Sequence, residues 1–306
     1  MTRAKTRKPV QKMGLKYRGI KPKTRQRYER QIERFFTFLR QNDTPLPTTF
    51  RKLDEMLAEY IDHMFLDDEP VAYAGDLISG FSRFYPASRL QIPITRLWFR
   101  NWQREVIRVR ALPIPAWILQ GLAGVALAMG RKDLAGLLPA AFLCMLRTGE
   151  ILSLRPMDVT FSPLGDTAII ALHQTKTAGP NTEEAVLEDR YAVNALKAAC
   201  RGLRPDETIY ARAPRFLNEE LRWLASLIGF EHKRFTPYSF RRGGATWHFH
   251  KYGSLHLTCI AGRWKHERTA KIYINGAAAE WMSWQVPSEG KQMLRRCSKA
   301  FKQRYA

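Results

Sequence analysis

Cysteine is scarce in this sequence, and its four copies never pair in a motif. Cys144, Cys200, Cys259 and Cys297 are far apart and show no Cys-x-x-Cys spacing. Structural zinc sites and disulfide-rich domains both depend on closely spaced cysteines. The pattern therefore argues against both classes and predicts reduced thiols inside a cell.

A long apolar run is also missing. A membrane-spanning helix needs about 18 uninterrupted apolar residues. The run from Trp117 to Met129 is broken by Gln120 and followed by Arg131 and Lys132. We therefore expect a buried helix there and no membrane partner. The N-terminus carries no apolar secretory segment either, which predicts an intracellular protein.

Acidic residues are few relative to basic ones. The chain has 28 Asp and Glu against 50 Lys and Arg, which gives a formal net charge of +22. A field of this size attracts polyanions. Because the excess runs along the whole chain, nucleic acid is the favoured partner. A ribosome-like or merely soluble basic protein is the alternative that charge alone leaves open.

The length and the first residues indicate the domain organisation. With 306 residues, 45% of them hydrophobic, two globular domains are expected. The first 28 positions hold eleven Lys or Arg and no acidic residue, so this segment cannot fold alone. We interpret residues 1–23 as a basic flexible arm that lies along DNA phosphates or serves as a nuclear address. An ordinary solvated tail is the alternative.

Apolar residues at helical spacing follow the arm. Thr24 is placed to cap a first helix, with Phe35 and Leu39 on its apolar face. Three further amphipathic patterns complete a small all-helical domain over residues 24–108. The prolines within residues 109–115 favour extended backbone, so this segment is predicted to be a linker.

The remaining residues, 116–306, predict a second domain that is mainly helical. Two apolar helices come first, over residues 116–129 and 134–146, and helices resume from about residue 214. Between them, three segments are predicted to form strands: 167–172, 185–188 and 208–211. The fold class is therefore mainly α with a small antiparallel β-sheet.

Six side chains along this framework are suited to phosphate chemistry. Taken singly, these residues have ordinary explanations. Arg147 could form an ion pair with Glu150 at a helix end, and Lys176 could be an exposed lysine in the turn after a strand. Their order and spacing are more specific. The set is Arg147, Lys176, Tyr238, Arg241, Trp264 and Tyr273.

This set resembles the active-site series of the tyrosine recombinases, the phage integrase family. That family has an arginine in an Arg-x-x-Glu helix start, a lysine in a β-turn and a His-x-x-Arg motif. A His or Trp then precedes the nucleophilic tyrosine by nine positions. Arg147-Thr-Gly-Glu150 matches the first motif, and Trp264 precedes Tyr273 by the required spacing. In the third motif, Tyr238 stands where most members have histidine.

The resemblance covers residues 112–275 by motif and implies a fold. It predicts an N-terminal helical core-binding domain and an integrase-type catalytic domain with a basic C-terminal helix. In the family, a terminal helix often docks on a neighbouring subunit. Packing of residues 289–305 on their own domain is the alternative.

The resemblance also implies a role for each side chain. Tyr273 would attack the phosphodiester and form a 3′-phosphotyrosine. A phenol has a free pKa of about 10, and the transition state gains negative charge, so cations must surround both. Arg147 and Arg241 are suited to hold the non-bridging oxygens by bidentate hydrogen bonds. Lys176 would protonate the departing 5′-hydroxyl, and Trp264 would supply one phosphate contact.

Glu150 would orient an arginine, and no metal, cofactor or ATP is implied. A covalent phosphotyrosine conserves the energy of the broken bond for resealing. No paired carboxylates at metal-binding spacing lie near these residues. This argues against transposases and polymerases that hold two metal ions with carboxylates.

Charge and resemblance together predict double-stranded DNA as the partner. The chain is expected to form a homo-oligomer, with a dimer on each site and a tetramer in synapsis. It would be DNA-associated, in the nucleus of a eukaryote or in the cytoplasm or nucleoid of a prokaryote. The residues predicted to contact DNA are Lys5, Arg7, Lys8, Lys21, Lys23, Arg25, Arg108, Arg110, Arg242 and Arg263.

Two other functions stay open at this point. A tyrosine at position 238 is a poor base near neutral pH, which leaves room for a weak or silent DNA-binding descendant of the fold. His266 could substitute, although Trp264 fits the spacing better. A type IB topoisomerase relative would use the same phosphotyrosine chemistry, but the separate helical bundle and the extended tail disfavour it.

Overall fold

The chain divides into two compact units, one up to residue 108 and one from Val109 to Ala306. A computed structural model describes residues 19–107, 109–173, 182–231 and 235–306. Among the residues that it describes, no helix is both long and apolar enough to cross a membrane.

In its described residues, 19–107, unit 1 is a bundle of four helices. Its elements are α1 (Pro22–Gln41), α2 (Phe50–Leu66), α3 (Val71–Phe84) and α4 (Pro93–Glu105), with a 3-10 turn at Pro86–Leu90.

The start of α1 corrects the sequence-based prediction. The helix begins at Pro22 with Lys21 as its N-cap, so Thr24 lies inside the first turn and is not the cap. Proline is favoured at the first helical position because its φ is already helical and its missing N–H would have no partner there. The predicted arm, residues 1–23, therefore overlaps the first residues of α1.

The core of unit 1 contains an apolar centre and the buried carboxylate of Asp54. Phe35, Leu57 and Leu77 are fully buried. The carboxylate of Asp54 on α2 accepts hydrogen bonds from the backbone N–H groups of Ile94 and Thr95, at 2.9 and 2.8 Å. Because those N–H groups open α4 and have no partner within the helix, this contact caps α4 and fixes it to α2.

The described part of unit 2 is mainly helical and contains a small sheet. Its helices are α5 (Ala116–Ala128), α6 (Lys132–Leu143), α7 (Thr148–Ser153), α8 (Arg190–Cys200), α9 (Leu217–Ser226), α10 (Pro237–Tyr252), α11 (Leu255–Ala261), α12 (Glu267–Lys271), α13 (Gly276–Trp284) and α14 (Ser288–Arg304). Its strands are β1 (Val159–Phe161), β2 (Ala168–Leu172) and β3 (Glu183–Leu187).

The sheet is antiparallel in the order β1-β2-β3, with Ile170 of β2 opposite both Val159 and Ala185. The predicted fold class is confirmed, but one predicted strand is wrong. Residues 208–211 form no strand. Ile209 there is buried and gives one backbone hydrogen bond, to the carbonyl of Leu154 at 2.9 Å. The apolar alternation over residues 208–211 reflects burial. The third strand of the sheet is β1, which lies at one edge beside β2.

The end of the predicted linker packs into unit 2. Leu112 and Ile114 are buried in its core, and the N–H of Ile114 donates to the carbonyl of Ser239 at 3.1 Å. Helix α10 approaches this segment closely, since a Cβ at Gly243 would lie 2.2 Å from the carbonyl oxygen of Ile114. At Gly244, a Cβ would lie 2.0 Å from the carbonyl oxygen of Phe142. The two glycines thus let α10 sit against this segment and α6.

The last helix packs on its own unit. A Cβ at Gly121 of α5 would lie 2.3 Å from the side chain of Leu294, and one at Gly124 would lie 2.1 Å from the carbonyl oxygen of Cys297. Phe301 near the end of α14 is also buried. Of the two arrangements left open by the sequence, the structure shows α14 packed in its own domain.

Candidate active site

Four of the predicted catalytic side chains lie in one cluster: Tyr238, Arg241, Trp264 and Tyr273. The ring of Tyr273 is in contact with the rings of Trp264 and Tyr238, at centroid distances of 4.6 and 5.4 Å. The guanidinium of Arg241 lies over Trp264 at 4.6 Å and over Tyr273 at 5.4 Å. Lys176 lies outside the described residues.

The first turn of α10 supplies two of these side chains. Thr236 and Ser239 form a capping box, in which the N–H of Thr236 donates to the Ser239 hydroxyl at 3.1 Å. Pro237 occupies the first helical position. Tyr238 and Arg241 are three residues apart and therefore lie on the same face of the helix.

Helix α10 also holds the segment that carries Tyr273. The buried guanidinium of Arg242 donates to the carbonyl of Ile272 at 2.9 Å. The hydroxyl of Thr246 accepts from the N–H of Asn275 at 3.1 Å and donates to the carbonyl of Arg242. The position of Tyr273 is therefore fixed on both sides by one helix.

Arg241 is the most enclosed charge in the cluster. It is 1% exposed, and its terminal nitrogens donate to the carbonyls of Met145 and of Gly262, the latter at 2.8 Å. Burial, with the positive charges of Arg147 and Arg263, lowers the pKa of Arg241 to about 10. The side chain is therefore still cationic at neutral pH. Its contribution is a fixed positive charge under the Tyr273 ring.

The two phenols are joined by a hydrogen bond in which Tyr238 donates to the oxygen of Tyr273. Burial by itself would raise the pKa of Tyr273. The hydrogen bond from Tyr238 and the charge of Arg241 outweigh it, and they bring the pKa below the ordinary value of 10. Partial burial and the same hydrogen bond raise the pKa of Tyr238 well above its ordinary range. The environment therefore favours negative charge on Tyr273.

Arg147 is linked to the cluster through two carboxylates, the buried Glu150 and the partly buried Glu183. It is the N-cap of α7, where its N–H donates to Glu150 at 2.8 Å and its guanidinium donates to the same carboxylate at 2.6 Å. Glu150 also pairs with Arg263 at 2.9 Å. Glu183, at the start of β3, lies 3.4 Å from Arg147 and 3.6 Å from Arg263. Two carboxylates thus hold two guanidiniums beside Arg241.

Comparisons with known proteins identify the fold. No protein-family model matches the chain. No curated protein matches it in sequence either. A solved structure of a lambda integrase dimer bound to a core site is similar, with 19% identity and a TM-score of 0.55, covering 87% of this chain and 93% of that one.

A second solved structure, the integrase of transposon Tn1549 in complex with a circular-intermediate DNA, gives the same result. It is 12% identical with a TM-score of 0.55 and covers 86% of this chain and 99% of that one. Both alignments include most of each chain. The protein has the integrase fold. The resemblance deduced from the motifs is confirmed at this level.

Two residues predicted to contact DNA do not lie on the surface of this integrase fold. Arg242 is 3% exposed and binds the carbonyl of Ile272. The side chain of Arg263 is 8% exposed and donates to the carbonyl of Cys144 at 2.9 Å. Arg263 also holds a positive φ of 56°, which is uncommon for a residue with a side chain. Arg242 therefore contacts backbone within the protein, and Arg263 contacts both backbone and carboxylates.

The other predicted DNA contacts divide into exposed and undescribed residues. Lys21 and Lys23 are exposed at the start of α1, and Arg25 pairs with Glu29 at 2.7 Å. Arg110 is exposed in unit 2. Lys5, Arg7, Lys8 and Arg108 lie outside the described residues.

Three further observations bear on the sequence-based site. His266 is exposed and is the N-cap of α12, whereas Trp264 is in ring contact with Tyr273. Glu183 and Thr246 belong to the site, although neither stands in a motif. Within the described part of the chain, no group of three or more His, Cys, Asp or Glu side chains is arranged to hold a metal ion.

Replacing Glu150 by alanine is expected to destabilise unit 2 by about 3 to 5 kcal/mol, the usual cost of removing one partner of a buried ion pair. Glu150 is 8% exposed and serves both Arg147 and Arg263. Urea unfolding followed by tryptophan fluorescence measures the loss. Glu150→Gln should lose less, because the amide oxygen still accepts hydrogen bonds.

The matched control is Glu207→Ala. Glu207 pairs with an arginine three residues away, as Glu150 does, but its side chain is 44% exposed and that of Arg204 is 80% exposed. This change should cost less than about 1 kcal/mol. Equal losses for the two alanine variants would contradict the importance of the buried network.

Proposed function

We propose that the protein is a tyrosine recombinase that cuts and rejoins double-stranded DNA through a 3′-phosphotyrosine at Tyr273. The observation that carries the proposal is the Tyr273 hydroxyl, hydrogen-bonded by Tyr238, with its ring over the Arg241 guanidinium in an integrase fold. A nucleophilic phenol needs this surrounding of donors and positive charge.

In the proposed reaction, the Tyr273 oxygen attacks phosphorus, and the bond between phosphorus and the 5′-oxygen breaks. The phenolic proton is released, and Lys176 gives a proton to the departing 5′-oxygen. Attack of a 5′-hydroxyl on the phosphotyrosine reverses these steps and frees Tyr273. The number of phosphodiester bonds is conserved, so no external energy source is required.

The cations of the site fit different parts of this task. The terminal nitrogens of Arg241 are already bound to two carbonyls, so it supplies a fixed charge. The side chain of Arg147 is 23% exposed. Of the two arginines, Arg147 is therefore the one that can reach a phosphate at the surface. A preset charge near the reacting oxygen stabilises the transition state without reorganisation.

We also propose a role for each segment of the chain and an oligomeric state on DNA. Residues 24–108 would form the core-binding domain and residues 116–306 the catalytic domain, with residues 1–23 as a basic arm. Each site would hold a dimer, and synapsis a tetramer, in a DNA-associated protein inside the cell. The net charge of +22 supports DNA as the partner.

Covalent trapping tests the proposal. Preferred sites are first selected from a random duplex library at low salt. They are then prepared with 5′-bridging phosphorothiolates, whose thiol leaving group reseals poorly and does not need the lysine proton. The wild-type protein should give an SDS-resistant, protease-sensitive DNA adduct, and peptide mass spectrometry should place the DNA on Tyr273.

A DNA-binding protein without chemistry is the second candidate, because Tyr238 replaces the family's histidine and both terminal nitrogens of Arg241 are engaged. The same experiment separates the two functions. Tight, site-specific binding without any adduct on the phosphorothiolate duplex would favour the silent binder and reject the recombinase. Sequencing the DNA recovered in the adduct would identify the recombination site.

A further inference from the structure

The paired phenols have an asymmetric environment. The oxygen of Tyr273 accepts a hydrogen bond from Tyr238, and the Arg241 guanidinium and the Trp264 indole both lie against the Tyr273 ring. Tyr238 is partly exposed at the start of α10, and Arg242 acts on it in addition to Arg241. The two oxygens therefore differ mainly in the hydrogen bond, which Tyr238 donates and Tyr273 accepts.

We infer that Tyr238 is a positioning residue for the nucleophile: it keeps its own proton and donates it in a hydrogen bond to the Tyr273 oxygen. This rests on the proposed function, in which Tyr273 attacks DNA. The contact between the two hydroxyls carries the inference.

The geometry makes the exchange of roles between the two tyrosines unfavourable. The guanidinium of Arg241 lies over the Tyr273 ring, and Trp264 covers the same ring at 4.6 Å. When the pair loses one proton, the negative charge is best placed on Tyr273. The lowered pKa of Tyr273 and the raised pKa of Tyr238 both favour ionisation of Tyr273 before Tyr238. Tyr238 therefore stays neutral and is not a second nucleophile.

This arrangement differs in chemistry from a histidine at the same position. A neutral imidazole can accept the proton of the attacking phenol near pH 6.5, whereas Tyr238 as a donor cannot accept it. The Tyr273 proton must leave to solvent or to the DNA phosphate. Cleavage should therefore accelerate about tenfold per pH unit up to the pKa of Tyr273 and then level off.

Proton titration by NMR tests the inference without any need for DNA cleavage. The full-length protein is labelled with ¹³C at the tyrosine ζ carbon, and Tyr273→Phe and Tyr238→Phe assign two of the eleven tyrosine signals. In wild type, Tyr273 should titrate before Tyr238. In Tyr238→Phe, the phenolate fraction of Tyr273 at a given pH should fall about tenfold.

The matched control is Tyr252→Phe, a similar change near the end of the same helix, at an exposed tyrosine. It should leave the titration of Tyr273 unchanged. The inference is overturned if Tyr238 titrates first in wild type, or if Tyr238→Phe leaves the Tyr273 curve where it was. Because Tyr238 is 38% exposed, a phenylalanine fits without repacking the core.

The pH profile of adduct formation adds a second readout. Its upper break should move to higher pH in Tyr238→Phe, whereas Tyr238→His should add a break near pH 6.5 and keep or raise the rate. If the wild type forms no adduct but the NMR shift appears, the recombinase proposal fails and the pairing of the phenols stands. A normal adduct with no NMR shift rejects the pairing alone.

Discussion

The Tyr273→Phe variant is expected to form no covalent DNA adduct while it binds DNA within about tenfold of the wild-type affinity. The substitution removes the single oxygen that would attack phosphorus, so the loss of adduct should be complete. Binding depends on a large basic surface, and one hydrogen bond contributes about 0.5 to 1.5 kcal/mol. The measurements are SDS gels of the phosphorothiolate reaction and fluorescence anisotropy of an intact duplex.

The control for this variant is again Tyr252→Phe, which should keep both adduct and affinity. Its hydroxyl lies outside the cluster of Tyr238, Arg241, Trp264 and Tyr273, on an exposed side chain. An adduct in the Tyr273→Phe variant would show that the nucleophile is assigned to the wrong residue. Peptide mapping would then reveal whether Tyr238 had taken its place.

DNA affinity is expected to fall by about 10³ to 10⁵ between 50 and 200 mM salt, the range for a protein that neutralises about 6 to 10 phosphates. Each phosphate contact releases condensed counterions, and added salt opposes that release. The formal charge of +22 provides enough basic side chains for such a footprint. Anisotropy titrations at stepwise salt concentrations give the slope. A flat response would contradict phosphate binding as the main source of affinity.

A truncation measures how much of this salt dependence comes from the basic arm. Helix α1 begins at Pro22 with Lys21 as its cap, so removal should stop at residue 18 to leave the helix start intact. We expect weaker binding and a shallower salt slope, with adduct formation retained. Loss of adduct at saturating DNA would show that residues 1–18 act in cleavage.

Local patterns predicted much of the fold. The apolar spacing around Phe35 and Leu39 predicted α1, and the apolar run after Trp117 predicted α5. Both predictions succeeded because the periodicity of a helix depends on residues that are close in sequence. The strand predicted over residues 208–211 failed for the same reason. Its alternation is a burial signal, and strand pairing depends on partners distant in sequence.

The site motifs were predictable by order and spacing, but the contacts of individual side chains were not. Arg263 was interpreted as a DNA contact, and it is buried against Cys144, which is 119 positions away in sequence. Glu183 joins the cluster only because β3 pairs with β2 in a particular register. Tyr238 and Tyr273 meet across 35 positions. Packing between distant segments determined all three contacts.

The close fit of α14 on α5 limits how this chain can diverge in evolution. At Gly121 and Gly124, any side chain would collide with Leu294 or with the backbone at Cys297. A Cβ added at Gly149, in contrast, would have no neighbouring atom within 4 Å. Substitution at position 149 is thus sterically free, but a change at 121 or 124 requires a matching change in the last helix. Descendants that keep this helix in place should retain small residues at both α5 positions, even after their active-site motifs have drifted.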